Sequence, residues 1–223
     1  MSDELIETIA KSKKICECIS LPAQSGDNEI LRKLNRHYVI EHYKKLIKKI
    51  RSNYKKYKPD INPAISTDII VGFPGETKKQ FENSAKLLRE LKFDMAFIAQ
   101  YSPRPETAAW KLKDNVSKKE KEGREKVLTE ILSKTALANN KKYIGKIVEV
   151  LVDTSSRPSP YKEEGDGKFP LLNKERVRVR LYNAHTRTQK KVIFYSNKTI
   201  PIGSFQKVKI TKAKAFGLEG KLK

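Results

Sequence analysis

Three short stretches of this 223-residue chain carry side chains suited to holding a polar ligand. The first is Pro22-Ala23-Gln24-Ser25-Gly26. The second runs from Asp68 through Gly72-Phe73-Pro74-Gly75-Glu76, and the third is Tyr101-Ser102-Pro103-Arg104-Pro105. Gln24 and Ser25 offer donors and acceptors for hydroxyls and carboxylates. A glycine such as Gly72 lets the backbone approach a ligand closely. Arg104 presents a planar fork for a carboxylate or phosphate. Any one stretch is also the composition of an ordinary strand-to-helix turn, where Gly, Pro and Ser are expected. Three in succession weaken that plainer reading. The two cysteines, Cys16 and Cys18, flank Glu17. A strand would turn both to one face, but two thiols make no disulfide framework. They read as small strand residues rather than a metal site. His37, His42 and His185 form no legible arrangement, and His42 reads as a surface residue of a Lys-rich helix.

The elements that position these stretches follow from hydrophobic periodicity. Ser2 is placed to cap a short helix bearing Leu5, Ile6 and Ile9. Ile15 to Leu21 reads as a strand ended by Pro22. From Glu29 to Lys58 the period is helical, with Ile40, Tyr43, Ile47, Ile50, Tyr54 and Tyr57 on one face. Ala64 to Val71 is β-prone and nearly continuously apolar toward its end, as in a buried parallel strand. Thr77 with Gln80 is a capping-box signal, and Phe81, Ala85, Leu88 and Leu91 form the stripe of the helix that follows. Met95 to Tyr101 is a third strand. Ser117 with Glu120 opens another helix, with Val127, Leu128, Ile131, Leu132 and Thr135 inward. Alternating strands and helices imply a parallel sheet with right-handed crossovers. Ligands bind such sheets at the carboxyl ends of the strands, where all three stretches fall.

Near Tyr143 the texture changes. Short strands around Val148–Val152, Arg176–Leu181, Lys191–Phe194 and Val208–Ile210 alternate with turn residues, the pattern of a small all-β barrel. The expected fold class is therefore α/β followed by β, with domains at 1–142 and 143–223 and a long mobile loop over 153–173.

The chain holds 48 Lys+Arg against 26 Asp+Glu, a formal net charge of +22. From Lys168 to Lys214 there are 13 basic residues and one acid, Glu175, a concentration that a merely solvated lysine surface explains poorly. Such a field draws polyanions, nucleic acid above all. Strand alternation would send Arg176, Arg178 and Arg180 to one face, with Val177, Val179 and Leu181 inside. Arg187, Lys190 and Lys191 extend the candidate RNA-binding set. No run of about 18 apolar residues exists for a membrane span, and the first residues lack the apolar core of a secretory signal. The expected location is the cytoplasm.

Leu21-Pro22-Ala23-Gln24-Ser25-Gly26 with Leu34-Asn35-Arg36, the run Ser66–Thr77, and Tyr101–Ala109 together resemble motifs of the radical SAM methylthiotransferases. Within that family the motifs look most like those of the MiaB-type tRNA methylthiotransferases. Thr186-Arg187-Thr188 leading to Val192-Ile193-Phe194 is similar to their terminal TRAM domain, an RNA-binding β-barrel. The resemblance implies the later half of a (β/α) radical SAM barrel with parallel strands, followed by an OB-like TRAM barrel. It also implies S-adenosylmethionine and [4Fe–4S] clusters as cofactors, and methylthiolation of isopentenyl- or dimethylallyl-adenosine beside the tRNA anticodon. Gln24 and Ser25 would face S-adenosylmethionine, with Asp68, Gly72 and Arg104 at adjoining strand ends.

The departures from the family pattern are specific. The family's cluster-binding C-x3-C-x2-C loop has no counterpart here, and Cys16 and Cys18 match neither of its cysteine sets, so no metal ligand is assigned. Ser20 stands where the family often has His, and Glu106 where it has Gly. Met1 reads as an internal methionine or the start of a truncated or split frame. The expectation is an RNA-binding part of a tRNA methylthiotransferase, inactive alone, with its amino-terminal half possible in trans. The alternatives are an RNA-binding protein without catalysis and the branch that modifies a ribosomal protein. A half barrel further predicts exposed apolar surface on residues 1–142.

Overall fold

Burial along Ala64–Val71 alternates: Ile65, Thr67, Ile69 and Val71 are buried, while Ser66, Asp68 and Ile70 are half-exposed. A strand with this pattern has one packed face and one open face. The computed structural model, which describes residues 1–156 and 179–223, builds the first of two compact units, Met1–Asn139, around that strand. The elements in order are α1 (Asp3–Lys11), β1 (Cys18–Ser20), α2 (Asn28–Lys33), α3 (Ile40–Tyr57), β2 (Ala64–Val71), α4 (Lys78–Leu91) and β3 (Met95–Gln100). A 3-10 helix (Ala108–Lys111) and α5 (Lys118–Lys141) follow. The strands form a parallel sheet in the order β1-β2-β3, with Ser20 beside Ser66 and Asp68 beside Phe97. Tyr43, Ile47, Ile50 and Tyr54 of α3, Phe81, Ala85 and Leu88 of α4, and Leu128 and Leu132 of α5 share one core with Ile65, Ile69 and Val71.

The predicted caps form. Ser2 accepts from the Leu5 N–H, Thr77 and Gln80 make a reciprocal capping box, and Ser117 accepts from Glu120. Three expectations need correction. The helix expected over 29–58 is two helices, because Asn35 adopts a left-handed conformation (φ 54°) that breaks the first. Asn is among the few residues that tolerate this conformation. The first strand pairs only over Cys18–Ser20, resuming as a single bridge between Gln24 and Ile69; Pro22, which lacks an N–H, falls in the gap. Val127 is 38% exposed, and Ala136 is buried on α5 instead. The predicted apolar exposure is present on the open face of the sheet, where Phe97 is 62% and Met95 37% exposed.

The second unit, Asn140–Lys223, is a closed barrel. Its strands are β4 (Ile147–Ser155), β5 (Arg180–Thr186), β6 (Lys191–Ser196), β7 (Phe205–Lys214) and β8 (Gly217–Leu222), in the order β4-β5-β6-β8-β7. Only the β6–β8 pair is parallel. Val150, Val152, Tyr182, Ala184, Val192, Phe194, Val208, Ile210 and Leu218 fill the interior. Tyr182 stacks on Phe194 at 5.4 Å, and its hydroxyl accepts from the Ile200 N–H. Tyr182 and Ala184 point inward, so Arg180 lies on their face and Leu181 on the opposite one, the reverse of the expected alternation. The bulk of Tyr182, seated on Phe194, sets that phase. Residues 153–155, expected in a loop, continue β4. Residues 157–173 of the expected loop, together with Arg176 and Arg178, lie outside the described residues.

Gly26 is the closest approach of the first loop to α4. Its N–H donates to Ser84 Oγ at 2.8 Å, and a Cβ there would lie 2.5 Å from the Asn83 carbonyl oxygen. Gly26→Ala is therefore expected to destabilise the protein by about 1–3 kcal/mol, the usual cost of overpacking. Urea unfolding followed by far-UV circular dichroism checks this, and an unchanged midpoint would mean that the loop is not seated on the helix.

Candidate functional site

Parallel strands end on the same edge, so the three ligand-suited stretches meet there. Backbone bonds join them: Gln24 N–H donates to the Asp68 carbonyl at 2.7 Å, and Tyr101 N–H donates to that of Val71 at 2.8 Å. Phe73 and Tyr101 meet edge to face at 5.1 Å. The first loop is pinned from beneath. Thr67 Oγ1 accepts from Ala23 N–H, Tyr43 OH donates to the Leu21 carbonyl at 2.6 Å, and Tyr38 OH donates to that of Ala23 at 3.0 Å. Burial pushes the Tyr43 phenol well above its ordinary range, so it remains a donor.

The predicted residues take different places on this edge. Gln24 is nearly buried, in a left-handed conformation (φ 64°), and its Oε1 accepts from Arg36 at 3.1 Å. Ser25 is fully buried, and its Oγ accepts from the Asp27 N–H, so it shapes the turn. Asp68 is half-exposed on the open face of the sheet, beside Phe97. The Gly72 N–H, which could have met a ligand, donates instead to Glu76 Oε2 at 2.7 Å. Arg104 is exposed in the turn after β3, and its guanidinium has no partner among the described residues.

Two cations of α5 complete the edge. Arg124 is buried and donates to both the carbonyl and Oε2 of Glu76, at 3.0 and 2.6 Å. Burial raises the Glu76 carboxyl above its usual range, outweighing the opposing pull of the Gly72 N–H and of Arg124. Lys121 lies across Gly72 in the space a Cβ would fill, and it donates to the Tyr101 carbonyl and to Asp114. Nothing in the sequence marked Lys121 or Arg124, because both sit in a run of charged residues that reads as a solvated helix. Arg36 stood in the Leu34-Asn35-Arg36 motif, but its partner Gln24 was not legible.

In the barrel unit Lys191 is exposed, Arg187 and Arg180 are half-buried, and Lys190 is buried at 8% exposure. Lys190 follows the inward side of the turn between β5 and β6, where its N–H donates to Thr186 Oγ1. The exposed charge lies elsewhere as well. Lys209 and Lys221 are direct cross-strand neighbours on β7 and β8, and Lys221 pairs in register with exposed Tyr195 on β6. Lys207 and Lys223 adjoin them. Like charges placed directly opposite are destabilising in a sheet, so this row is the barrel's candidate polyanion face.

Cys16 is exposed and Cys18 half-buried, neither in a disulfide, and no group of three metal-binding side chains occurs among the described residues. A [4Fe–4S] cluster takes about three or four thiolates, so the residues of this chain do not fit one. No helix among the described residues is long and apolar enough to cross a membrane.

A parallel sheet with its loops gathered at the carboxyl edge, followed by a small basic barrel, agrees with comparison to known sequences. Residues 1–88 match the Radical SAM superfamily and residues 141–223 match the TRAM domain. The chain thus carries a Radical SAM superfamily segment followed by a TRAM domain, and it is similar to curated tRNA-2-methylthio-N(6)-dimethylallyladenosine synthases. Its relatives include the tRNA-2-methylthio-N(6)-dimethylallyladenosine synthase of Clostridium botulinum (strain Langeland), 43% identical over 99% of this chain. The synthase of the same name from Bacillus cytotoxicus is 41% identical over the same share. The chain spans 43% and 38% of the lengths of these two relatives.

The Arg124–Glu76 pair is the most deeply buried ion pair of the edge, its side chains 7% and 0% exposed. Arg124→Ala leaves a carboxylate in the core and is expected to cost about 3–5 kcal/mol of stability. Urea unfolding measures it. A decrease below about 1 kcal/mol, the ceiling for an exposed pair, would mean that the pair is solvated.

Proposed function

We propose that this chain is the RNA-engaging part of a tRNA methylthiotransferase acting on isopentenyl- or dimethylallyl-adenosine, the second of which is named in its relatives. The observation that carries the reading is the Lys209–Lys221 pair flanked by Tyr195. A sheet gains nothing from two ammonium groups in register, whereas a phosphate between them takes up both charges. An exposed aromatic ring beside them offers a stacking surface for a base.

S-adenosylmethionine, when bound, supplies the radical and the methyl group in this family. On this chain Gln24, held by Arg36, and Asp68 on the open sheet face are the groups directed toward it. Arg104 offers a fork for its carboxylate. Ser25 and Gly72 act indirectly, as turn residues that hold the edge in shape. Because the cluster does not fit, no catalytic step is assigned to these residues alone. A polypeptide supplying the thiolates would complete the site, and the exposed Phe97 and Met95 are the apolar surface it would cover. The cysteine count also favours a second reading, an RNA-binding protein without catalysis.

Two measurements test this. Anaerobic reconstitution of the 223-residue chain with iron and sulfide is expected to yield no stable [4Fe–4S] absorbance; a stoichiometric cluster would make Cys16 and Cys18 ligands. Transfer RNA binding should fall log-linearly with salt. Lys209→Ala with Lys221→Ala should lower the slope by roughly 0.7–0.9 for each phosphate that the variant no longer neutralises. Absence of binding at about 50 mM salt, where phosphate contacts are strong, would overturn the RNA reading.

A further inference from the structure

The first unit holds a second cationic feature, far in sequence from the barrel lysines. An open cleft of about 510 Å³ is formed by the end of α2, the turn before α3 and the first turn of α3. Arg32, Arg36, His37, Tyr38, His42 and Asn28 line it, and no acidic side chain does. Arg32, Arg36, His37 and His42 are exposed. Arg36 spends one nitrogen on Gln24, while Arg32, His37 and His42 have no side-chain partner among the described residues. Glu41, on the first turn of α3, does not itself line the cleft, but its carboxylate stands beside it, accepting from Asn28 Nδ2 at 3.1 Å.

The backbone adds to the field. Val39 caps α3 without a side-chain hydrogen bond, and Asn28 Oδ1 satisfies only the Ile40 N–H. The positive end of this 18-residue helix therefore lies at the cleft, with the Glu41 N–H taken up by its own carboxylate. The floor is rigid, because Tyr38 OH is bonded to the Pro22 and Ala23 carbonyls and its ring stacks against Tyr43. Two guanidinium groups and two imidazoles around a preformed hollow make a receptor for a tetrahedral oxyanion.

We propose that this cleft binds a phosphate of the RNA backbone, giving the sheet unit its own grip on the substrate strand. The inference rests on the reading of the chain as RNA-binding. Its ligand chemistry is that of a phosphate ester, and the open form of the cleft suits a group carried on a polymer rather than an enclosed small molecule. Through Arg36, an occupied cleft is linked to Gln24 and thus to the strand-end edge, so that RNA seating and the orientation of Gln24 are mechanically connected.

The test uses the full chain and its three histidines, of which His185, in the barrel beside Lys191, reports separately on the barrel's own contact with RNA. Imidazole resonances are followed by NMR during titration with a short RNA hairpin, with AMP and with inorganic phosphate, and RNA affinity is measured by fluorescence anisotropy. RNA is expected to shift His37 and His42. Arg32→Ala is expected to weaken RNA binding roughly ten-fold, the size of one charge-assisted contact. Lys45→Ala, which removes the same charge from an exposed site on α3, should change it far less. If RNA binds but leaves His37 and His42 unmoved, with Arg32→Ala no worse than Lys45→Ala, the cleft proposal fails and the barrel reading stands. If AMP or inorganic phosphate shifts them as strongly as RNA, or shifts them while RNA does not bind, the cleft is a site for a small phosphate and the proposal is overturned. Absence of RNA binding in that last case removes the RNA reading as well.

Discussion

The buried carboxylate of Glu76 organises the carboxyl edge of the sheet. It accepts from the Gly72 N–H at the end of β2 and from Arg124 on α5, and it lies with them in the core. A charge in such surroundings is tolerable only when it is paired and hydrogen-bonded. Both donors meet Oε2, while Oε1 is buried without a partner among the described residues, so the pair forms only if the turn after β2 curls back on itself and α5 lies against that turn. Lys121, about one helical turn before Arg124, then fills the space above Gly72 and reaches the Tyr101 carbonyl, which brings the end of β3 into the same assembly. One desolvated ion pair thereby couples two of the three loops on which the site is built.

The third loop is held by different means. Hydroxyls of Tyr38, Tyr43 and Thr67 take up backbone groups of Leu21–Ala23, and Gly26 lies against α4. These bonds replace the ladder that Pro22 interrupts. They leave Gln24 in a left-handed backbone conformation, with its side chain oriented by Arg36. Such strain persists only where surrounding hydrogen bonds over-determine it. The open sheet face above, with Asp68 beside Phe97, is the surface left for a ligand or for further protein.

The two units carry their positive charge differently. The barrel gathers lysines in register on neighbouring strands, a broad field suited to a phosphate backbone whatever its sequence. The sheet unit instead gathers forked and ring donors around a hollow. On the proposed reading, the first arrangement would supply long-range attraction and the second geometry.

Much of this was legible in the chain itself. Local signals specified the caps at Ser2 and Thr77, the central strand, the helix-forming regions apart from the break at Asn35, and the change to short strands near Tyr143. Each depends on neighbours within a few residues or on a simple period. The three strand-end stretches were also legible, because turn chemistry and strand order place them without knowledge of side-chain contacts. Tertiary structure alone decided which of their residues have groups left for a ligand. Ser25 and Gly72 are consumed by the turns, and Lys190 is buried, whereas Lys209 and Lys221 meet only because β7 and β8 pair. It also decided the phase of β5, where the ring of Tyr182 settles on Phe194 and carries Arg180 to the inner side. The physical reason is common to these cases. A charged side chain reads the same in sequence whether solvated or desolvated, and only the partner that packs against it determines which it is.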